Sequence, residues 1–193
     1  MVLRTVILPA MVMMVALLVS GCGAPPADEL YARAQEAHDG AQRTLDSLGR
    51  NADVHALFTP VASAYEQIAT EYPSSLQAEQ SLFKAAELYA GYLQNVPKAI
   101  EVYKRFGEGF PASTKAPTAL FMVGYLYNNQ LGMTDSAEVA YRKFLSLYPQ
   151  NELATSAQFE LETLGQDPQE LLPPPTERNV VTPKSKPKTA SPH

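Results

Sequence analysis

The chain has 193 residues, 46% of them apolar, with ten Tyr and seven Phe, which is material for one well-filled domain plus accessory segments. A formal net charge of −5 and a pI near 5.2 argue against a nucleic-acid binder, which needs a basic face. One cysteine leaves no intramolecular disulfide to build a scaffold on. At the N-terminus, Arg4 is the only charge before a run from Val6 to Val19 that is apolar apart from Pro9. Such a run is too short to span a bilayer permanently and has the length of a signal-peptide core. Residues 1–21 are therefore expected to be a signal peptide.

Val19-Ser20-Gly21-Cys22 resembles the lipobox of bacterial lipoproteins, in which small residues admit the signal peptidase and the cysteine receives lipid. The resemblance implies lipidation of Cys22, and two or three acyl chains anchor stably where one is marginal. Gly23 follows, where Asp would resemble an inner-membrane retention signal. The expected address is the outer membrane, lipid-anchored and facing the periplasm. Ala24-Pro25-Pro26 makes residues 22–27 a short stiff tether.

From Asp28 the pattern turns helical. Leu30, Ala34, Ala37, Ala41, Leu45 and Leu48 step by three and four onto one face, with Asp39-Gly40 a point of fraying and Gly49–Asp53 a loop. A second helix is predicted from about Pro60 through Val61, Tyr65 and Ile68 to Tyr72, stopped by Pro73. Helices then follow at Leu76–Leu93, Pro97–Phe110, Pro117–Gln130 and Asp135–Tyr148, the last with Thr134 or Asp135 as N-cap. Glu152–Leu164 is a final unpaired helix that ends at Gly165.

A step of 38 residues runs through these helices. It relates Tyr65, Tyr103 and Tyr141; Pro73, Pro111 and Pro149; Ala78, Ala116 and Ala154; Phe83, Phe121 and Phe159; Leu88, Leu126 and Leu164. An aromatic ring, Tyr72, Phe110 or Tyr148, precedes each proline. Self-similarity at this period means stacked supersecondary units, none able to bury its apolar face alone. Leu120, Val123-Gly124, Tyr127, Ala137, Tyr141 and Pro149 resemble the tetratricopeptide repeat, as do Leu82, Ala85-Ala86, Tyr89, Ala99, Tyr103 and Pro111. The resemblance covers Leu76–Leu164 well and Asp28–Pro73 loosely. It implies an all-α fold, a right-handed superhelical solenoid of about three helix pairs plus a C-terminal capping helix over residues 28–165. Units of this length ending in aromatic-Pro also resemble the repeat lipoprotein of the outer-membrane β-barrel assembly machinery and the repeat protein associated with Tol-Pal. The chain has fewer pairs than the first and lacks the N-terminal coiled coil of the second.

In the last unit Glu162 takes the small position of Ala86 and Gly124, which marks the helix as a cap, because a charge there cannot be packed without a large desolvation cost. Residues 166–193 form a tail. Asp167–Leu172 is expected to make one turn against the cap, Pro173-Pro174-Pro175 an extended stretch, and the rest to be disordered for want of apolar residues. Lys184, Lys186 and Lys188 make its end basic, with no acid after Glu177.

No catalytic arrangement is visible. His38, His55 and His193 lie in separate segments, and there is no glycine-rich phosphate loop, nucleophile elbow or spare cysteine. No enzyme activity, metal or cofactor is expected. On the repeat pattern the first helix of each pair lines the inner groove. It would present Gln80, Phe83 and Glu87, then Thr118, Phe121, Tyr125, Asn128 and Asn129, and in the looser first unit Tyr31, Gln35 and His38. Phe83, Phe121 and Phe159 read better as packing between repeats, and Tyr125, Asn128 and Asn129 as groove residues. The expected partners are envelope proteins, among them an outer-membrane β-barrel protein, and the membrane through acyl chains on Cys22. The alternative is a cell-wall or division coordinator that touches peptidoglycan through its basic tail.

Overall fold

The computed structural model describes residues 26–166. The signal peptide, Cys22 and the tail from residue 167 lie outside the described residues. Among those described there are seven α-helices and no strand: α1 (Ala27–Leu48), α2 (Val54–Glu71), α3 (Leu76–Ala90), α4 (Val96–Gly109), α5 (Ala116–Asn129), α6 (Thr134–Leu147) and α7 (Ala154–Glu162). They fall into two compact units, one ending at Ala119 and one beginning at Leu120. This is the expected all-α class: three successive helix pairs and a last helix.

The 38-residue step is reproduced in backbone geometry. Tyr72, Phe110 and Tyr148 end α2, α4 and α6 at φ near −130° and ψ near 50°. The cause is the proline after each, whose ring excludes helical ψ from the residue before it. Two residues past each proline, Ser75, Ser113 and Asn151 bond back to the aromatic residue's carbonyl at 2.9, 3.0 and 3.1 Å. Each then receives, on its own carbonyl, the amide of the alanine three residues on: Ala78, Ala116 or Ala154. The turn between units is thus one structure made three times.

The turn within each pair is also shared. Gln94 and Gly132, 38 apart, are both left-handed, at φ 47° and 62°. Asn95 and Met133 follow, each donating its amide over 2.8 Å to the carbonyl of Tyr89 or Tyr127. Asn95 also caps α4 with its side chain, accepting from Lys98 N, whereas Met133 gives α6 no side-chain cap. The expectation of Thr134 or Asp135 as cap is therefore corrected: the left-handed residue sets the register, and it puts Met133 in the cap position. Met133→Asn is expected to raise stability by about 0.5–2 kcal/mol through a new cap. Gln94→Gly should add about 1 kcal/mol by relieving the left-handed strain. Denaturant unfolding of the two variants measures both.

Further readings differ from expectation, and α3 ends at Ala90, three residues before the expected Leu93. Helix α2 starts at Val54, not Pro60, because Asp53 caps it by accepting from Ala56 N. Pro60 is tolerated inside the helix on its exposed side, where water can serve the Ala56 carbonyl that the ring leaves unpaired. Gly40 does not fray α1, which runs to Leu48, and Ala37 and Leu48 are exposed rather than on the buried face. Helix α7 is shorter at both ends than Glu152–Leu164.

Within the first unit, Phe58, Tyr65, Phe106 and Val102 are fully buried, with Ala85 and Ala86 where α3 meets its neighbours. Glu66 of α2 binds Lys98 and Arg105 of α4 at 3.2 and 3.1 Å, tying together the second helices of adjacent pairs. In the second unit the core is Ala137, Tyr141, Phe144 and Ala157, with Leu120, Phe121, Leu161 and Leu164 packed on it. Gly124 matters here. A Cβ on it would stand 2.7 Å from Cε1 of Tyr141, so α5 approaches α6 over a glycine because the tyrosine ring needs that space.

Candidate functional site

The first unit brings the sequence-predicted residues of α1 and α3 into one neighbourhood. Tyr31 of α1 is half-buried with its ring 5.9 Å from that of Tyr65. His38 lies edge-on to Phe58 and Tyr65 at 6.0 and 6.2 Å. Burial lowers the His38 pKa below its ordinary value, and Lys84 of α3 lowers it further, opposed by Asp39 and Glu87. Thus His38 of α1 stands within electrostatic reach of Lys84 and Glu87 on α3. Gln35 and Glu87 are exposed, and Gln80 and Lys84 half-buried. Beneath them the Tyr65 hydroxyl is fully buried and has no hydrogen-bond partner. Its pKa is raised by burial first, then by Tyr31 and Asp39. A buried hydroxyl left unpaired is costly, so Tyr65 supplies hydrogen-bonding capacity that the fold does not consume.

Phe83, by contrast, is packing. It is only 5% exposed and meets the rings of Tyr103 and Phe106 at 5.7 and 5.1 Å, with the Lys115 ammonium 4.6 Å from its ring centre. Sequence reasoning missed Lys84, and it missed Tyr92. The Tyr92 ring stacks on Phe58 at 4.0 Å and its hydroxyl donates to Gln42 Oε1 over 2.6 Å, joining α1 to the turn after α3. Nothing in the repeat pattern signals that contact, because residue 130, one step on from Tyr92, is glutamine.

Thr118, on the first-unit part of α5, is half-buried. The second unit uses its predicted residues differently. Asn128 and Asn129 do not stand free: both donate their side-chain amides to Glu160 Oε2 of α7, at 3.2 and 3.3 Å. The Tyr141 hydroxyl donates to the same oxygen over 3.1 Å. The asparagines were expected to have no role in packing. They have one, fastening α7 to α5 by hydrogen bonds to a charged acceptor, stronger than neutral ones. Tyr125 is half-buried beside Tyr141, whose pKa is raised by burial first and then by Glu160. Phe121 packs on Tyr141 and Phe144 as expected. Phe159 does not pack: 56% of it is exposed.

Among the described residues, no three His, Cys, Asp or Glu side chains are grouped to hold a metal, and no helix is long and apolar enough to cross a membrane. Residues 80–113 and 118–151 match the family profile of the tetratricopeptide repeat, two stretches beginning 38 residues apart. Residues 80–151 carry two tetratricopeptide repeats. The matched stretches cover most of α3 with α4, and α5 with α6. The tetratricopeptide fold is in general a scaffold for binding proteins and is not a catalytic one. No curated protein matches the chain.

Proposed function

We propose that the chain is a non-enzymatic interaction scaffold, anchored to the outer membrane through lipid on Cys22 and facing the periplasm, that assembles envelope proteins, an outer-membrane β-barrel protein among them. The interaction reading is carried by one observation. The first helices α1 and α3 bring Tyr31, His38, Lys84 and Glu87 together beside the buried Tyr65 ring, with the exposed Gln35 one turn from Tyr31 and from His38 on α1. Rigid aromatic groups among adaptable polar ones suit recognition of a peptide segment. The address rests on sequence: Val19-Ser20-Gly21-Cys22, followed by Gly23.

The anchor is tested at Cys22. Lipidation needs its sulfur, and no other residue of the chain can replace it. Cys22→Ser should abolish labelling by a palmitate analogue and leave an uncleaved precursor or a protein released from the membrane fraction. The described helices include no cysteine and should fold unchanged, as read by circular dichroism. Continued labelling of Cys22→Ser would contradict the lipoprotein reading.

A second reading, a coordinator that touches peptidoglycan, is favoured by Lys184, Lys186 and Lys188 in a stretch without acids. Cosedimentation with purified peptidoglycan, with and without residues 176–193, separates the two.

A further inference from the structure

Two helix pairs, α3 with α4 and α5 with α6, show how this face of the first helix is covered. Phe83 of α3 lies on Tyr103 and Phe106 of α4, and Phe121 of α5 lies on Tyr141 and Phe144 of α6, all at centroid separations of 5.1–6.0 Å. In α5 and α6, Phe121 meets Phe144 while Gly124 meets Tyr141. Contacts that advance on one helix and retreat on the other mean an antiparallel pair. Phe159 is the next member of the phenylalanine series, and among the described residues no second helix covers it. Three residues on, where the Tyr141 ring lies against Gly124 in α5, α7 has an exposed glutamate, Glu162, which accepts one bond from Gln158.

These features define what would fit. The Phe159 position takes a large apolar side chain, as its two equivalents do. The Glu162 position cannot take a tyrosine ring, because covering a carboxylate without a charged partner is expensive. A lysine or arginine there would pair with it. Helix α7 has two glutamates and no basic residue, and Glu160 is already held by three donors. The chain's own residues one step beyond Tyr141 and Phe144 are Asn179 and Thr182, neither of them apolar. A second copy offers Tyr65, Tyr103 or Tyr141 at the position that should be basic, each already buried.

We propose that the outer face of α7 is a docking site for an amphipathic helix of a partner protein. That helix runs antiparallel to α7, sets a large apolar side chain on Phe159, and sets a lysine or arginine, three residues earlier, against Glu162. The face is built from α7 and shares no residue with the α1 and α3 surface, so either reading can fail without the other.

The probe is a fluorescent peptide copying residues 134–148 with Tyr141→Lys, stapled between the exposed positions 139 and 143 so that it is already helical. Anisotropy with the full-length chain should show saturable binding. Phe159→Ala and Glu162→Lys should each weaken it at least tenfold, and Glu162→Lys should prefer the peptide carrying Tyr141→Glu. Both positions are exposed, so the variants should retain the wild-type circular dichroism. Absence of saturable binding, or binding indifferent to Phe159 and Glu162, would overturn the proposal. Two other results would also overturn it by assigning the face elsewhere. One is self-association of the chain that Phe159→Ala abolishes. The other is tighter peptide binding once residues 167–193 are removed.

Discussion

Phe106→Ala is expected to lower the unfolding free energy by about 3–5 kcal/mol, the largest loss any single core truncation here should bring. Phe106 is fully buried, with the Phe83 ring 5.1 Å away on one side and the Phe110 ring 5.5 Å away on the other. The loss has two parts, the apolar surface no longer removed from water and the cavity left behind. The cavity should not close. Phe83 is held in place by Tyr103 and Lys115, and Phe110 is fixed by the proline after it. Against a domain stability of roughly 5–15 kcal/mol, this brings the first unit close to unfolding. The denaturation midpoint should fall with little change in slope. A loss below about 1 kcal/mol would mean that the rings repack freely, and the packing described here would be wrong.

Gly124→Ala should destabilise, against the usual effect of that substitution. Inside a helix, alanine is ordinarily better than glycine by about 0.8–1 kcal/mol. Here the new methyl would lie 2.7 Å from Cε1 and 2.8 Å from Cδ1 of Tyr141. The ring cannot swing aside, since it is fully buried and its hydroxyl is bonded to Glu160. Overpacking of this kind costs about 1–3 kcal/mol, which outweighs the gain and leaves a net loss of up to about 2 kcal/mol. Thermal unfolding decides the sign. A rise in Tm would show that α5 and α6 have room to part.

Much of the fold was legible because its signals are local and repeated. A proline ends the second helix of each pair by the same steric rule each time, so Pro73, Pro111 and Pro149 mark three real boundaries. The start of α2 is hard to read because Pro60 is admissible at a first turn, while Asp53, the local signal for the true start, falls in a stretch with the composition of a loop. Thr134 and Asp135 have good capping side chains but the wrong register, which a left-handed residue two positions upstream dictates. The site was less legible. The periodicity put Gln80 and Thr118, and likewise Glu87 and Tyr125, at equivalent places on their helices. It could not show that Asn128 and Asn129 are engaged by Glu160, more than thirty residues away and outside the repeated positions. The unpartnered Tyr65 hydroxyl was equally invisible, since Tyr141 at the equivalent position is bonded.

The central claim is that the α1 and α3 surface binds protein partners. Quantitative affinity purification from detergent-solubilised envelopes tests it most directly, comparing the wild-type chain with Gln35→Arg/Glu87→Arg. Both residues are exposed, so the variant should fold, as circular dichroism can check. The account predicts that one or a few envelope proteins are enriched on the wild-type chain and fall at least tenfold on the variant. Recovery of the same proteins in the same amounts on both chains would contradict it.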